Sequence, residues 1–392
     1  MVAVAEHIKV PELRFPDFSG DWEEKFGNEV FDRITDKNHK SDLPILAISQ
    51  EHGAIPREMI DYDISVTAES VASYKVVSPG DFIISLRSFQ GGLEYSRYKG
   101  ICSPAYIILR ARIAIEDLFF KEFFKTYSYI LQLKSKLEGI RDGKMVSYKY
   151  FSETIIPYPT LPEQQKIAEF LTAVDEKIGQ LKRKKELLEA YKKGAMQKLF
   201  SQEIRFKDDQ GNPYPDWEEK RLEDISRCLD SKRKPLNSNE RNRMKGSIPY
   251  YGANGIVDYV DDYLFDEELV LMAEDGGNFF EFSNKPIAQL ISGRSWVNNH
   301  AHILKAKVDF ITTDFLFYSL VHKDIRRFIV GGSRAKLNKS DLMSITLFKP
   351  RIQEQQKIAE FLTGIDDKIN AVANQIDKAV EFKKGLLQKM FV

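Results

Sequence analysis

The sequence predicts an α+β fold: two pseudo-repeated mixed α/β bodies, each followed by one long helix, with the two helices packed on each other. Three observations predict it. Residues 163–172, Glu-Gln-Gln-Lys-Ile-Ala-Glu-Phe-Leu-Thr, return letter for letter at 354–363, an offset of 191. The same offset carries Asp175 onto Asp366, Lys192 onto Lys383 and Phe200 onto Phe391 without a slip. Upstream, Leu13-Arg14-Phe15 matches Ile204-Arg205-Phe206 at 191, and Asp21-Trp22-Glu23-Glu24-Lys25 returns as Asp216-Trp217-Glu218-Glu219-Lys220 at 195. Tandem duplication is the simplest source of such a pattern, and two-fold pseudosymmetry is its expected product. The boundaries are a first body at 1–159, a central helix at 160–203, a second body at 204–350 and a C-terminal helix at 351–392.

Within the first body, 43–49, 81–86 and 104–110 read as strands, the second after the Ser78-Pro79-Gly80 turn. Residues 118–137, with Phe119, Phe120, Phe123, Phe124, Tyr127 and Leu131, have helical spacing and enough aromatic bulk for a core. The second body repeats the order, with strands at 268–272 and 302–304 and a helix at 315–321. Both bodies close alike, Pro159 corresponding to Pro350. Thr160 followed by Glu163, with Pro162 between, predicts a capping box at the start of the first long helix. The second copy has Arg351 and Gln353 in place of Thr160 and Pro162 and lacks that signal.

Along the first long helix Ile167, Leu171, Val174, Ile178, Leu181, Lys185, Leu188, Lys192, Ala195 and Leu199 recur at alternating steps of four and three. Ile358, Leu362, Ile365, Ile369, Val372, Ile376, Ala379, Lys383, Leu386 and Met390 do the same in the second. A seven-residue repeat keeps its seam on a partner only when helices wind round each other left-handedly. Roughly 38 residues at ~1.5 Å each make a rod of about 57 Å, which cannot bury its stripe alone. Gln164, Gln165, Ile167, Phe170, Leu171, Val174 and Ile178, with Gln355, Gln356, Ile358, Phe361, Leu362, Ile365 and Ile369, are the expected helix-pairing and subunit-interface residues.

Composition narrows the class. In 392 residues, 43% hydrophobic and 12% aromatic content fills well-packed cores. Lys plus Arg and Asp plus Glu both count 58, so no net field favours a polyanion. Cys102 and Cys228 are too few for a disulfide framework and too far apart for a metal motif. No signal peptide and no bilayer-spanning apolar run is legible, so a cytoplasmic protein is expected. No nucleophile elbow, P-loop, metalloprotease His pair or methyltransferase glycine loop is present, so no catalytic site is expected.

The polar signals lie where the two bodies diverge. In the first, Gln50, His52, Arg57, Arg87, Gln90, Tyr95, Arg97 and Lys99 interleave cations and amides with aromatic rings. In the second, Lys232, Arg233, Lys234, Arg241 and Arg243 flank a Pro/Asn/Ser-rich loop suited to nucleic-acid backbone contact. Tyr251 and Asn254 sit in a turn-rich Tyr-Gly-Ala-Asn-Gly segment. Trp296, Asn298, Asn299 and His300 place amides and an imidazole beside an indole, and Arg334 and Lys336 follow a pair of glycines as a phosphate grip. His300 and His302 have the spacing of a two-ligand metal strand, but no further His or Cys cluster accompanies them, and no metal is expected. A metal-dependent enzyme using Asp275 with these histidines, and a coiled-coil adaptor without nucleic-acid specificity, are the competing readings.

The twin Glu-Gln-Gln-Lys-Ile-Ala-Glu-Phe-Leu-Thr helices, Pro249-Tyr250-Tyr251-Gly252-Ala253-Asn254-Gly255 and Lys336-Leu337-Asn338-Lys339-Ser340-Asp341-Leu342 together resemble the specificity subunit of type I restriction-modification systems. The likeness covers essentially the whole chain. It implies that the bodies are target recognition domains, each binding half of a bipartite, asymmetric site on double-stranded DNA. It implies that the helices pair as an antiparallel coiled coil which sets the unread gap and docks two modification subunits. It further implies a chain without catalysis or cofactor of its own, S-adenosylmethionine, ATP and Mg being held by modification and restriction subunits.

Overall fold

The computed structural model describes residues 10–60, 68–135, 146–332 and 335–392. Contacts divide the chain into two units, 1–184 together with 372–392, and 185–371. Each unit therefore contains one body, the half of one long helix that adjoins it, and the far half of the other.

The two bodies share a frame. In the first unit a four-stranded antiparallel sheet runs in the order Phe31–Ile34, Ile107–Ala111, Phe82–Ile84, Glu94–Tyr95. In the second the order is Ser226–Cys228, Ala301–Ala306, Leu269–Ala273, Ala288–Ile291, the same topology. A separate two-stranded ribbon closes each body, Glu23–Phe26 with Ile155–Tyr158 and Glu218–Arg221 with Thr346–Lys349. One turn of helix follows the first ribbon strand in both. Its orphan amide is taken by a side chain three residues on, Phe26 donating to Glu29 and Arg221 to Asp224.

Apolar alternation puts the sheets against the helices. In the first unit Phe31 is fully buried and meets the rings of Phe82, Phe120, Phe124 and Phe151 at centroid separations of 5.4, 5.5, 5.6 and 6.0 Å. Such aromatic pairs add about 0.5–1.5 kcal/mol each beyond burial. The expected helix over 118–137 is divided into Asp117–Phe123 and Tyr127–Ser135. The break is chemical: Thr126 Oγ1 donates to the Phe123 carbonyl and accepts the Tyr129 amide, so one hydroxyl ends one helix and starts the next.

Both long helices are continuous, Leu161–Phe200 and Ile352–Lys389. The seam read from the seven-residue repeat is buried at Ile167, Leu171, Ile178, Leu181, Ala195 and Leu199 in one and at Ile358, Leu362, Ile365, Val372, Leu386 and Met390 in the other, with Ala168, Met196 and Ala359 buried beside it. The pairing is antiparallel. In the first unit Ile167 and Leu171 share a core with Leu386, Met390 and Phe391, and one turn further on Asp175 meets Lys383. In the second, Ile358, Leu362 and Ile365 share a core with Met196 and Leu199, and Lys192 meets Asp366.

The repeated Glu-Gln-Gln explains itself in the same frame. Glu163 is 1% exposed and accepts from Arg14 Nε and Nη2 at 2.7 and 2.8 Å and from the Trp22 indole at 3.1 Å. The carboxylate expected to complete a capping box with Thr160 is thus committed to Arg14 and Trp22, a stronger acceptor site because it neutralises a buried charge. Glu354 accepts from Arg205 in the same way, at 3.1 and 2.7 Å. Gln164 donates to the Pro159 carbonyl and accepts the Glu116 amide, while Gln355 donates to Pro350 and Phe310 and accepts the Thr312 amide. Each of these glutamines therefore joins the start of a long helix to the start of a body helix, Asp117–Phe123 or Thr313–Leu320. The passage between helix and body is also repeated: the Ile204 amide donates to the Lys198 carbonyl at 3.2 Å, and the Leu13 amide to the Lys389 carbonyl at 2.8 Å.

Candidate nucleic-acid interface

The bodies differ in what is built between the first and second strands of the shared sheet. In the second unit residues 229–268 add a basic turn, the helix Ser238–Arg243 and a hairpin, Lys245–Gly252 with Gly255–Val260. The hairpin pairs in parallel with Arg294–Val297, matching Tyr250 to Trp296 and Tyr251 to Val297. This brings the polar segment at 298–300 beside the basic turn.

The Trp296 indole, buried, donates to the Lys234 carbonyl at 2.6 Å, and the Tyr250 hydroxyl accepts the Leu236 amide at 3.0 Å. These bonds pin the basic turn to the sheet. Of its cations, Arg233 donates to Glu274 at 2.6 Å and to the carbonyls of Asn299 and Ala301, and Arg241 donates to Asp258 at 3.0 Å. Both are structural pins. Lys245 and Arg241 hold the carboxyl of Asp258 down at about 2. Lys232, Lys234 and Arg243 are exposed. Lys336 reaches Glu274 at 3.1 Å and stays half exposed. Arg334 lies outside the described residues. Asn254 donates to the Gly276 carbonyl at 2.8 Å, and Tyr251 is half-buried, its hydroxyl pushed up by burial.

The two histidines face different carboxylates. His300 is exposed and bonds Asp275 through Nδ1 at 2.7 Å. His302, 1% exposed, bonds Asp230 through Nδ1 at 2.6 Å and the Leu337 carbonyl through Nε2 at 2.8 Å. Both partners are acceptors, so both ring nitrogens carry protons and the ring is an imidazolium. Burial works against that charge, but Asp230 and the Leu337 carbonyl outweigh it and the pKa is pushed up to about 9. Cys228 lies close by, the three groups' ligand atoms lying within 4.8 Å of one another. A metal there would have to displace the shared proton beside the Arg233 guanidinium, 3.4 Å from Asp230. The arrangement is an ion-pair network that fixes the second-body loops.

In the first unit the hairpin Leu46–Ser49 with Gly53–Pro56 carries Gln50 and His52 on its tip. Gln50 donates to the Arg87 carbonyl at 3.1 Å and lies against Gly91, so the tip meets the turn bearing Arg87 and Gln90. The side chains of His52, Arg87, Gln90, Arg97 and Lys99 are exposed, whereas Arg57 is half-buried at the start of a short 3-10 turn. Tyr95 is half-buried and donates to Asp117 at 2.5 Å, burial and that carboxylate pushing its pKa up.

The sequence model of the type I restriction modification DNA specificity domain matches residues 20–190 and again 214–381. The chain belongs to the type I restriction-modification DNA specificity family. A type I restriction enzyme specificity subunit of Haemophilus influenzae is 37% identical over 146 residues, 37% of this chain and 36% of that relative. The MjaVIII specificity subunit of Methanocaldococcus jannaschii is 26% identical over 344 residues, covering 80% of this chain and 78% of the relative. The crystal structure of a type I restriction-modification S subunit from M. genitalium has the same fold, with a TM-score of 0.60 at 17% identity and coverage of 98% and 99% of the two chains.

In this specificity chain Gln164 and Gln355 are fully buried internal clamps, whereas Gln165 and Gln356 are exposed. Phe170 packs on Phe15 and Phe361 on Phe206, with ring centroids 5.7 and 5.8 Å apart, so these two phenylalanines anchor the segments leading into each body. The acids that neutralise the second-body cations, Asp230, Asp258 and Glu274, are not among the residues singled out from sequence, and Asp275, read there only as a partner of the histidines in a metal site, is the hydrogen-bond partner of His300. Their signal was faint, since pairing partners lie on strands remote in sequence. No helix among the described residues is long and apolar enough to cross a membrane.

Proposed function

We propose that this chain is the non-catalytic DNA-reading and scaffolding subunit of a type I restriction-modification complex, its two bodies each binding half of a bipartite, asymmetric duplex site. The observation that carries the reading is the pair of identical frames with unlike insertions. The same strand order, helix clamps and ion pairs recur, while the polar segments 35–60 and 229–268 are built from different elements, one short hairpin in the first and a helix with a longer hairpin in the second. One architecture with two different surfaces suits one task on two different targets. The working division is 1–159 and 204–350 as target recognition domains, with 160–203 and 351–392 as the paired helices.

Exposed cations such as Arg97, Lys99, Lys232 and Arg243 supply phosphate contacts, while amides and imidazoles at the loop tips address base edges. With 58 basic and 58 acidic residues, the chain attracts DNA weakly by itself. Its partners are double-stranded DNA, two modification subunits on the paired helices and restriction subunits beyond them. S-adenosylmethionine, ATP and Mg belong to those partners, and the complex works in the cytoplasm.

The test is an exchange of residues 24–155 for the same span of another family member, in complex with the modification subunit, followed by mapping of methylated adenines across a genome. One half-site is expected to change and the other to stay. Alteration of both, or methylation without sequence preference, would refute the modular reading, the latter favouring a simple adaptor.

A further inference from the structure

We infer that the second body recognises an A·T base pair in the major groove, with Asn298 as donor to adenine N7 and His300 as acceptor from adenine N6. The inference rests on the DNA-reading function proposed above and names what that surface reads.

Geometry fixes the polarity of both side chains. The backbone amide of His300 donates to Asn298 Oδ1 at 2.7 Å, so the orientation of the side-chain amide is assigned. Asn298 Nδ2 has no partner among the described residues and offers only donors. Asp275 Oδ1, an acceptor, takes the Nδ1 proton of His300 at 2.7 Å, which selects the Nδ1–H tautomer, whose Nε2 is a lone-pair acceptor. Asn298 cannot reverse its role without breaking the bond from the His300 amide, and Asp275 holds His300 to the one tautomer.

Both residues line one open cleft of about 560 Å³, together with Arg241, Tyr250 and Val257. The cleft is preorganised. The Asn298 amide donates to the Tyr251 carbonyl at 3.1 Å, and the strand before it is held by the pairing of Trp296 with Tyr250. Val257 is 60% exposed and adds an apolar surface.

A donor, an acceptor and an apolar contact select among base pairs. Adenine presents the N7 acceptor beside the N6 donor, and its thymine partner adds a methyl group. Guanine presents two acceptors, N7 and O6, and the second would face the lone pair of His300 Nε2. Exposed Lys232 and Arg243, on the turn and helix packed against this cleft, supply sequence-independent phosphate contacts.

The experiment uses the chain assembled with its modification subunit. Methylated adenines are mapped for the wild type, for Asn298→Asp, which keeps the acceptor for the His300 amide but deletes both donors, and for His300→Ala. Wild-type binding is also measured on duplexes carrying 7-deazaadenine at single positions of the mapped site. At one adenine of the second half-site the analogue is expected to weaken wild-type binding about tenfold to a hundredfold. Asn298→Asp should be indifferent to it, and both variants should relax at that position alone. Unchanged discrimination in both variants, or relaxation at a G·C position, overturns the inference and leaves the DNA-reading function standing. Loss of all sequence preference by the wild-type complex removes both. Should a variant fail to assemble, the analogue series on the wild type decides.

Discussion

Lys192 grips Asp366 through both carboxylate oxygens, at 2.6 and 2.7 Å, and its equivalent Lys383 grips Asp175, the equivalent of Asp366, at 2.7 and 2.8 Å. The two lysines occupy seam positions that a coiled coil ordinarily fills with apolar side chains. Each lysine contacts a carboxylate on the opposite helix at a single alignment, so the charges fix register as well as attraction.

Lys383 also reaches Glu122 at 2.8 Å, and its side chain is 19% exposed. Lys383→Ala should therefore destabilise the protein by about 2–3 kcal/mol, below the range for a fully buried pair because Asp175 is partly exposed. Urea unfolding of the single variants and of Lys383→Ala/Asp175→Ala gives the coupling. Strict additivity would show that the contact sets neither stability nor register.

The indole of Trp22 donates to Glu163, whereas the buried indole nitrogen of Trp217 has no acceptor. The two copies should therefore respond unequally to the same substitution. Glu163→Ala is expected to cost about 1–2 kcal/mol more than Glu354→Ala, because both strand an arginine but only the former also strands a buried indole donor. Thermal or urea midpoints measured side by side check the difference, and equal losses would contradict it.

His302, with its pKa pushed up to about 9, gives a stability term that declines in alkali. The folded value lies above the ordinary ~6.5 of an unfolded histidine, so the contribution is complete below about pH 6.5. It is lost as pH rises through about 9. Melting temperature should fall between pH 7 and 9.5, and Asp230→Asn should flatten that slope. A wild-type profile parallel to that of Asp230→Asn would show that the imidazolium is not formed.

Gly92 has a φ of +80°, and a Cβ there would lie 1.8 Å from the Phe124 carbonyl oxygen. Gly92→Ala should cost on the order of 3 kcal/mol or more, combining strain with a backbone clash. Gly276, at φ +62° with open space around it, should lose only about 1 kcal/mol on the same change. Calorimetry on the pair separates crowding from strain.

The frame was legible in sequence because repetition and period are local signals. Ile167, Leu171, Ile178 and their equivalents alternate at four and three, and burial follows them. The helix ends were less legible, since Glu163 looks like a capping residue until Arg14 and Trp22 are seen beside it. Thr126 divides the aromatic helix through hydrogen bonds that compete with helix continuation, which apolar spacing does not reveal. The candidate interface was legible as residue types only. Arg233 and Arg241 read as free cations in a loop, yet their acids, Glu274 and Asp258, come from strands that fold onto them. Asn298 and His300 were visible as polar residues, but their donor and acceptor roles are assigned by Asp275 and a backbone amide.

The Ile204 amide reaches Lys198 within one short stretch of peptide, while the Leu13 amide reaches Lys389 from the far side of the sequence, reinforced by the ion pair of Lys389 with Glu12 at 2.6 Å. Hydrogen bonding and charge hold this joint where its counterpart is held by adjacency in sequence. The two copies thus reach the same passage from long helix to body by different means, one through the peptide chain and one through hydrogen bonding and charge.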